Sequence, residues 1–261
     1  MAVEWYLMEP DVLGGFENTE FRNWRGAFKN SILTTDFART VDIYGNYPTN
    51  KPRRIRALVL DQVENSYNKM KERQILTELG QIQCGDLLLI DGRWWLVISL
   101  VDQNRLYSKG ILYYCNSILN FTSLKTFNTV SYPVVVHNAT QYNSGERATD
   151  YMVTLSSQRL YYFPANEETI LFDNDYRFLH DRNKLHPSAW KIAQVDTEND
   201  DWDGYGIVRV MAVEDELLMT DDVENMVADN SKWIEKHGKN SGYHSVEDIP
   251  PSDGGGWIDM T

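Results

Sequence analysis

The 261-residue chain is 42% hydrophobic and 12% aromatic, and its formal net charge is −13. These values are typical of a globular protein with one large or two modest domains and exclude an intrinsically disordered chain. The charge also argues against a nucleic-acid-binding surface, because contacts with phosphate groups require clustered lysine and arginine. No apolar run approaches the roughly 18 residues of a membrane-spanning helix, and residues 1–10 lack the basic start of a signal peptide.

Residues 1–50 contain nine aromatic residues with no clear helical or strand period. Glycines and Pro48 interrupt the segment, so we do not expect it to close a core of its own. We predict an N-terminal aromatic arm over residues 1–50 that either wraps the body of the protein or reaches a neighbour. Because large aromatic side chains are common interface anchors, Trp5 and Trp24 are candidate anchors for a partner.

Residues 53–80 are open to two interpretations. Apolar residues recur at spacings of three and four from Ile55 to Met70, which favours a helix. The runs Ile55–Leu60 and Arg73–Leu79 are equally typical of two strands that flank a polar loop. Periodicity alone leaves both alternatives in place.

The clearest structural signal lies between Gly85 and Asp102. Four apolar residues, Leu87–Ile90, are followed by Asp91-Gly92 and then by a second apolar run, Trp94–Val101. An Asp-Gly pair tolerates the positive φ angles of a type I′ turn, so this stretch predicts a β-hairpin. Lys109–Tyr114 supplies a third strand, which completes a meander.

Further strands are predicted downstream of this meander. The β-branched and aromatic runs Ser131–His137, Tyr151–Leu155 and Arg159–Phe163 have strand character. The polar segment Asn138–Asp150 predicts an exposed loop. We assign residues 51–160 to a first β-unit.

A second meander, similar in plan to the first, is predicted over residues 161–230. Its strands are Arg177–Asp181, Ala189–Asp196 and Tyr205–Val213. The similar stretches of the two meanders are Leu89-Ile90-Asp91 and Leu179-His180-Asp181, Trp95 and Trp190, Val101-Asp102 and Val195-Asp196, and Gly110-Ile111-Leu112 and Gly206-Ile207-Val208. This pattern indicates either an internal duplication or convergent strand patterning. We therefore predict a mainly β fold, with tandem β-meanders forming a barrel or sandwich core and with extended N- and C-terminal arms.

Residues 231–261 are predicted to form a flexible C-terminal arm. Paired prolines and three consecutive glycines prevent regular structure near its end. Trp257 is a third candidate interface anchor, and plain disorder is the alternative.

Charge is unevenly distributed along the chain. Residues 196–229 contain twelve acidic residues and one basic residue, Arg209, whereas Lys51, Arg53, Arg54 and Arg56 form a basic group without an intervening acid. A molecule polarised in this way can stack head to tail on copies of itself or dock on a partner of opposite charge. The alternative is an acidic face that serves solubility alone.

The sequence contains no motif for catalysis or for a bound cofactor. The five histidines lack the spacing of a zinc site, and no phosphate-binding loop or nucleophile elbow is present. Asn199–Gly204 begins like a calcium loop, but the twelfth position is Val210. Cys84 and Cys115 are too few for a zinc set, and a bridge between them is open beside ordinary thiols. We expect neither enzymatic activity nor a cofactor.

Dispersed apolar, glycine and aspartate positions between about residues 52 and 230 resemble those of small connector proteins of tailed bacteriophages. The runs concerned are Glu72–Thr77, Ile82, Gly85-Asp86, Gly92–Val97, Tyr162–Glu167, Phe178–Asp181, Ala189–Ile192 and Val195-Asp196. The resemblance implies a β-barrel or sandwich that assembles into a homo-oligomeric ring beneath the portal, and it implies that Arg73–Leu79 is a strand. It further implies a protein of the virion, made in the host cytoplasm, that contacts portal, adaptor and tail proteins while DNA passes without specific binding.

Within such a ring, the acidic loop that carries Asp200, Asp201 and Asp203 is our candidate for the surface facing the channel. Carboxylates repel phosphate groups, so a lumen lined with them would let DNA slide. The competing hypothesis is a tail or baseplate component that binds host-surface glycan through exposed tryptophan and tyrosine side chains.

Overall fold

A computed structural model of the protein describes residues 15–45, 47–48, 51–61, 72–99, 101–103, 106–138, 157–181, 183, 186–199, 201–202 and 205–237. The fold is mainly β, as predicted. Its helices are α1 (Gly15–Thr34) and α2 (Ser231–His237), with a 3-10 turn at Thr169–Leu171. Its strands are β1 (Ala38–Tyr44), β2 (Arg53–Asp61), β3 (Glu72–Thr77), β4 (Leu87–Ile90), β5 (Arg93–Val97), β6 (Asp102–Gln103), β7 (Ser108–Tyr114), β8 (Ser117–Thr122), β9 (Thr129–Asn138), β10 (Gln158–Pro164), β11 (Arg177–Leu179), β12 (Ala189–Asp196), β13 (Asp201–Trp202) and β14 (Tyr205–Asp215). In this described part of the chain, neither helix has the length and apolar character needed to cross a membrane.

The strands form two barrels in tandem. The first runs β3-β2-β1-β4-β5-β7, and pairing of β7 with β3 closes the ring. The second runs β11-β12-β14-β10-β9-β8. The short strand β6 pairs with β7, and the short strand β13 pairs with β14.

Both barrels have the same topology. When the six main strands of each are counted in chain order, the first three form one meander and the last three form another. The fourth strand then lies beside the first, and the sixth lies beside the third. The predicted tandem β-meanders that form a barrel core are therefore confirmed, and the two barrels have one strand order.

The register of the sheets tests the residue matches between the two units. Trp95 lies opposite Leu88, and Trp190 lies opposite Phe178, so the match of Leu89–Asp91 with Leu179–Asp181 holds. Asp102 pairs with Lys109 as Asp196 pairs with Arg209, which supports that match as well. The match of Leu112 with Val208 is wrong by four residues. Leu112 faces Val97, and its equivalent facing Ile192 is Ala212, because cross-strand register and not local likeness fixes the pairing.

The predicted hairpin is confirmed at β4 and β5. Ile90 pairs with Arg93, which leaves a two-residue turn. Asp91 and Gly92 have φ angles of 50° and 74°, the two positive values that a type I′ turn requires. The second strand ends at Val97 and not at Val101.

Two predicted boundaries differ from the structure. Residues 38–44 lie inside the first barrel as β1, because this strand pairs with both β2 and β4, so the arm predicted over residues 1–50 does not extend to residue 50. The first barrel ends at Tyr114 and not at residue 160, because β8 and β9 pair with each other and β9 pairs with β10. The helix considered over residues 53–80 is absent from the described residues there, which form β2 and β3.

An apolar junction joins the two barrels. Side chains at alternate positions of β4, β5 and β7 fill the first barrel, and the others point outward. The outward residues Leu87 and Leu96 pack against Val135, Tyr162 and Ile207 of the second barrel. The outer side of β4-β5-β7 therefore rests on the outer side of β9-β10-β14.

The backbones of the two barrels approach closely at Gly85. This residue has φ +85°, and a Cβ atom placed on it would lie 2.0 Å from the carbonyl oxygen of Gly206. The Gly206 oxygen also accepts a hydrogen bond from the backbone N–H of Ala165 at 2.8 Å. Glycine at position 85 is therefore required by both backbone conformation and close packing.

Candidate assembly surfaces

The junction leaves one side of each barrel facing away from the other barrel. In the first barrel β2 lies opposite β5 in the ring, and in the second barrel β11 lies opposite β10. Because β5 and β10 are the central strands of the junction, β2 and β11 mark the two far sides of the molecule. We call α1 with the outward side of β2 the first pole, and residues 214–224 the second pole.

The first pole is basic and partly apolar. Alternation along β2 directs Ala57 into the core and leaves Arg54 and Arg56 exposed. Nε of Arg54 lies 2.7 Å from Oδ1 of Asp42, and this hydrogen bond lowers the pKa of that carboxyl group. Arg56 donates to the carbonyl oxygen of Thr35 at 2.9 Å, so its charge is not neutralised by that contact.

Helix α1 covers part of the first barrel and leaves apolar groups exposed. Ile32 is buried, and the ring of Phe28 lies 5.0 Å from that of Tyr107. Trp24 is 61% exposed and Phe37, just after the helix, is 83% exposed. The candidate anchor Trp24 is therefore accessible to a partner, and its role as an anchor stays a prediction.

The second pole is held in place by Arg177 at the start of β11. Its guanidinium donates to both carboxylate oxygens of Asp221, at 2.8 and 3.1 Å, and to Oδ2 of Asp215 at 2.8 Å. Asp221 also accepts the backbone N–H groups of Leu218 and Asp229. The Asp221 side chain is fully buried, so the segment after β14 is tied to the barrel by a satisfied ion pair.

The surface that this tied segment presents is acidic with an apolar tip. Residues 214–229 contain seven acidic residues and no basic one. Leu217 and Leu218 are 47% and 40% exposed, and Met219 is fully exposed. The exposed acids of the second pole are Glu214, Glu216, Asp222 and Glu224.

His180, at the end of β11, is built into the wall of the second barrel. Burial, helped by the charge of Arg159, lowers its pKa to about 4, so the ring is neutral at pH 7. Nη1 of Arg159 faces Nδ1 at 3.1 Å, and a guanidinium can only donate. The ring proton therefore resides on Nε2 and is donated to Oγ of Ser117 at 2.6 Å. A histidine in this state cannot remove a proton from Ser117, so the pair is not arranged as a nucleophile and its base.

Of the acidic loop predicted to face a channel, the structure describes the backbone of Asp201 and Trp202, which lies near the junction of the barrels. The backbone of Asp201 pairs with Gly206 at the base of the hairpin between β12 and β14. Asp200 and Asp203, like the candidate anchors Trp5 and Trp257, lie outside the described residues. The sequence prediction for these four residues therefore stays a prediction, as does that for the side chain of Asp201.

The structure also shows the surroundings of the two cysteines and of the last position of the calcium-like loop. Cys84 and Cys115 are both buried in the junction as thiols, so the disulfide left open by the sequence is absent. Val210, the twelfth position of the calcium-like loop, is buried within β14 and has no ligand oxygen in its side chain. Among the described residues, no three His, Cys, Asp or Glu side chains are grouped as metal ligands.

Sequence reasoning missed Arg177 and His180 as organising residues. Arg177 and Asp221 are 44 positions apart, and Ser117 and His180 are 63 apart. No local spacing signals such pairs. A basic residue in an otherwise apolar short strand, followed by a long acidic segment, was the one available signal for Arg177.

Comparison with known proteins adds a finding for the first barrel. Residues 21–113 match the family model of the YomX N-terminal domain, a phage-derived family. The match ends one residue before the end of β7, which agrees with the first barrel as a separate unit. Comparisons with curated proteins and with solved structures give no significant match. Residues 21–113 are thus similar to a phage-derived domain.

Proposed function

We propose that this protein is a structural subunit of a tailed-phage particle, a head-to-tail connector that assembles into a homo-oligomeric ring beneath the portal. One observation carries the proposal: a barrel similar to a phage-derived domain packs through an apolar junction on a second barrel of the same topology, with a basic pole at one end and an acidic pole at the other. Such a chain suits repeated assembly, because each copy offers two unlike surfaces that point in opposite directions.

The internal contacts support a rigid building block. The junction contains large apolar side chains and a backbone contact at Gly85 that allows no side chain. The second pole is tied to β11 through Arg177, so its acidic surface is preformed. A preformed surface loses less conformational entropy on binding than a mobile one.

The proposal assigns the acidic hairpin between β12 and β14 to the ring channel. This hairpin starts beside the junction, midway between the two poles, so it would project from the flank of a chain whose poles contact its neighbours. Asp200, Asp201 and Asp203 would then repel the phosphates of passing DNA. No catalytic role is part of the proposal.

Two measurements test this function. Light-scattering mass determination of the purified chain, alone and with phage portal and tail proteins, should give closed oligomers, and electron microscopy should show rings. A strictly monomeric protein under all these conditions would overturn the proposal.

Particles carrying Asp200→Lys, Asp201→Lys and Asp203→Lys should assemble but should retain or eject DNA abnormally. Normal infection by such particles would remove the channel assignment.

A further inference from the structure

The contact between the two barrels is made by different sides of the same fold. The first barrel uses its fourth, fifth and sixth strands, β4, β5 and β7. The second barrel uses its second, third and sixth strands, β9, β10 and β14. The contact is therefore heterologous, and heterologous contacts between like units can be repeated.

To use this contact pattern again, the first barrel would offer its second and third strands and the second barrel its fourth and fifth, while the sixth strands, β7 and β14, already lie in the junction. In the first barrel the second strand, β2, and the third, β3, do not face the junction. In the second barrel the fourth strand, β11, and the fifth, β12, do not face it either. Each barrel thus has one side in the junction and another side that is free, and the free sides lie at the first pole and at the second pole.

We propose that the second pole of one copy docks on the first pole of the next copy, as the contact that joins subunits in a chain or ring. This inference rests on the proposed function and names the surface through which its ring would form. The occupant of each pole is a second copy of this protein.

Charge complementarity supports this assignment. Residues 15–61, which form α1, β1 and β2, contain eight basic and five acidic residues, whereas residues 214–229 contain only acidic ones. Arg54 and Arg56 point away from the first barrel, and Glu216 and Glu224 are exposed on the second pole. Opposite potentials on facing surfaces favour one docking orientation and disfavour contacts between like poles.

Exposed apolar groups are present on both poles. On the first pole Phe37 is 83% exposed and Leu60, at the end of β2, is 45% exposed. On the second pole the tip formed by Leu217, Leu218 and Met219 stands between acidic residues. An apolar centre with a charged rim is the usual arrangement of a protein–protein interface.

The test uses the full-length chain and two charge-reversed variants. Variant one carries Arg54→Glu and Arg56→Glu on the first pole, and variant two carries Glu216→Arg and Glu224→Arg on the second. Sedimentation velocity at low salt should show that each variant alone associates at least on the order of tenfold more weakly than the parent. Mixing the two variants in equal amounts should restore association, because each contact between unlike variants again joins opposite charges.

Matched controls separate this inference from unfolding and from the proposed function. Arg93→Glu reverses an exposed charge on the β4–β5 hairpin, outside both poles, and should leave association unchanged. Thermal melting should show that both pole variants are folded. If the parent assembles and the variants assemble equally well, the pole contact is wrong while the ring subunit survives. If the mixture of variants fails to recover, the pairing of these two poles is also wrong. A parent that never assembles overturns both ideas.

Discussion

The two barrels differ in how the ring of strands is completed. In the first barrel β1 and β4 form a backbone ladder, so hydrogen bonds run around the whole ring. In the second barrel the described residues show no such ladder between β8 and β11, and side chains bridge the gap. Ser117 is joined to His180, and the Tyr176 hydroxyl donates to the carbonyl oxygen of Thr122 at 2.5 Å.

The contents of the two barrels differ as well. Aliphatic residues such as Val41, Ile75 and Val97 fill most of the first barrel around Trp95. The second barrel contains many large aromatic rings, namely Phe121, Tyr132, Tyr161, Phe163, Phe172, Tyr176, Phe178 and Trp190. In the barrel with the bulkier core, polar side chains take the place of the ladder. One strand order can therefore be kept while the closure and the core differ.

Each barrel has a tryptophan at an equivalent position, and replacing either one should give the largest loss of stability. Arg73 lies 4.8 Å from the ring centre of Trp95, and Arg159, on the equivalent strand, lies 4.0 Å from that of Trp190. Both tryptophans are buried, so replacement of either by alanine should cost about 3–5 kcal/mol of unfolding free energy. Urea denaturation would measure the loss, and melting like the parent would contradict equivalent core roles.

Phenylalanine replacements sharpen the same test. Nε1 of Trp190 donates to the carbonyl oxygen of His180 at 3.1 Å, whereas Nε1 of Trp95 has no hydrogen-bond partner among the described residues. Trp190→Phe should therefore be more destabilising than Trp95→Phe by about 1 kcal/mol. Equal losses would show that the hydrogen bond from Trp190 to His180 contributes nothing to stability.

Arg177 tests the ion pair that ties the second pole to its barrel. In Arg177→Met the Asp221 carboxylate would be left buried and unpaired, which should cost about 3–5 kcal/mol. The control is Arg54→Met in the first barrel. Its exposed pair with Asp42 should contribute at most about 1 kcal/mol. Chemical denaturation of both variants measures the difference, and similar losses would mean that the Arg177 pair behaves as a surface pair.

His180 in the second barrel and Asp86 beside the first barrel should change the stability of the protein in opposite directions as the pH falls. The pKa of His180 is about 4 when folded against 6.5, so its contribution to stability is fully present above pH 6.5 and is lost as pH falls to 4. Burial raises the pKa of Asp86, beside the first barrel, from 3.8 to about 6, so stability is gained as pH falls through 6. Each shift corresponds to roughly 3 kcal/mol.

Two substitutions separate these pH effects. Between pH 7 and pH 4.5, His180→Asn should lose less stability than the parent, and Asp86→Asn should lose more. Urea midpoints across this range provide the measurement. If both variants followed the parent curve, neither group would titrate as its surroundings indicate.

At the junction we expect a smaller loss of stability than for the tryptophan-to-alanine replacements in the cores. In Gly85→Ala a methyl group would meet the carbonyl oxygen of Gly206, and relief of this clash should cost about 1–3 kcal/mol. Gly92→Ala is the matched control, since Gly92 also has a positive φ but has no atom within 4 Å of the added Cβ position. It should lose only the backbone strain, about 1 kcal/mol. Equal losses in thermal melts would indicate that the barrels separate freely at Gly85.

The sequence by itself determined the local elements of this protein. Asp91-Gly92 placed the hairpin because those two residues accept positive φ angles, and similarity in plan to the first meander placed β12 and β14. Uneven charge likewise predicted a polarised molecule. Each of these signals is carried by neighbouring residues and needs no knowledge of distant contacts.

Tertiary structure decided everything that depends on distant partners. Strand pairing made residues 53–61 a strand although their spacing also suits a helix, and it assigned β8 and β9 to the second barrel. The pairing of Arg177 with Asp221 and the placement of the poles on opposite sides follow from the strand order around each ring. Register and ring closure join residues far apart in the chain, and such contacts are selected by the packing of the whole core rather than by the residues beside them.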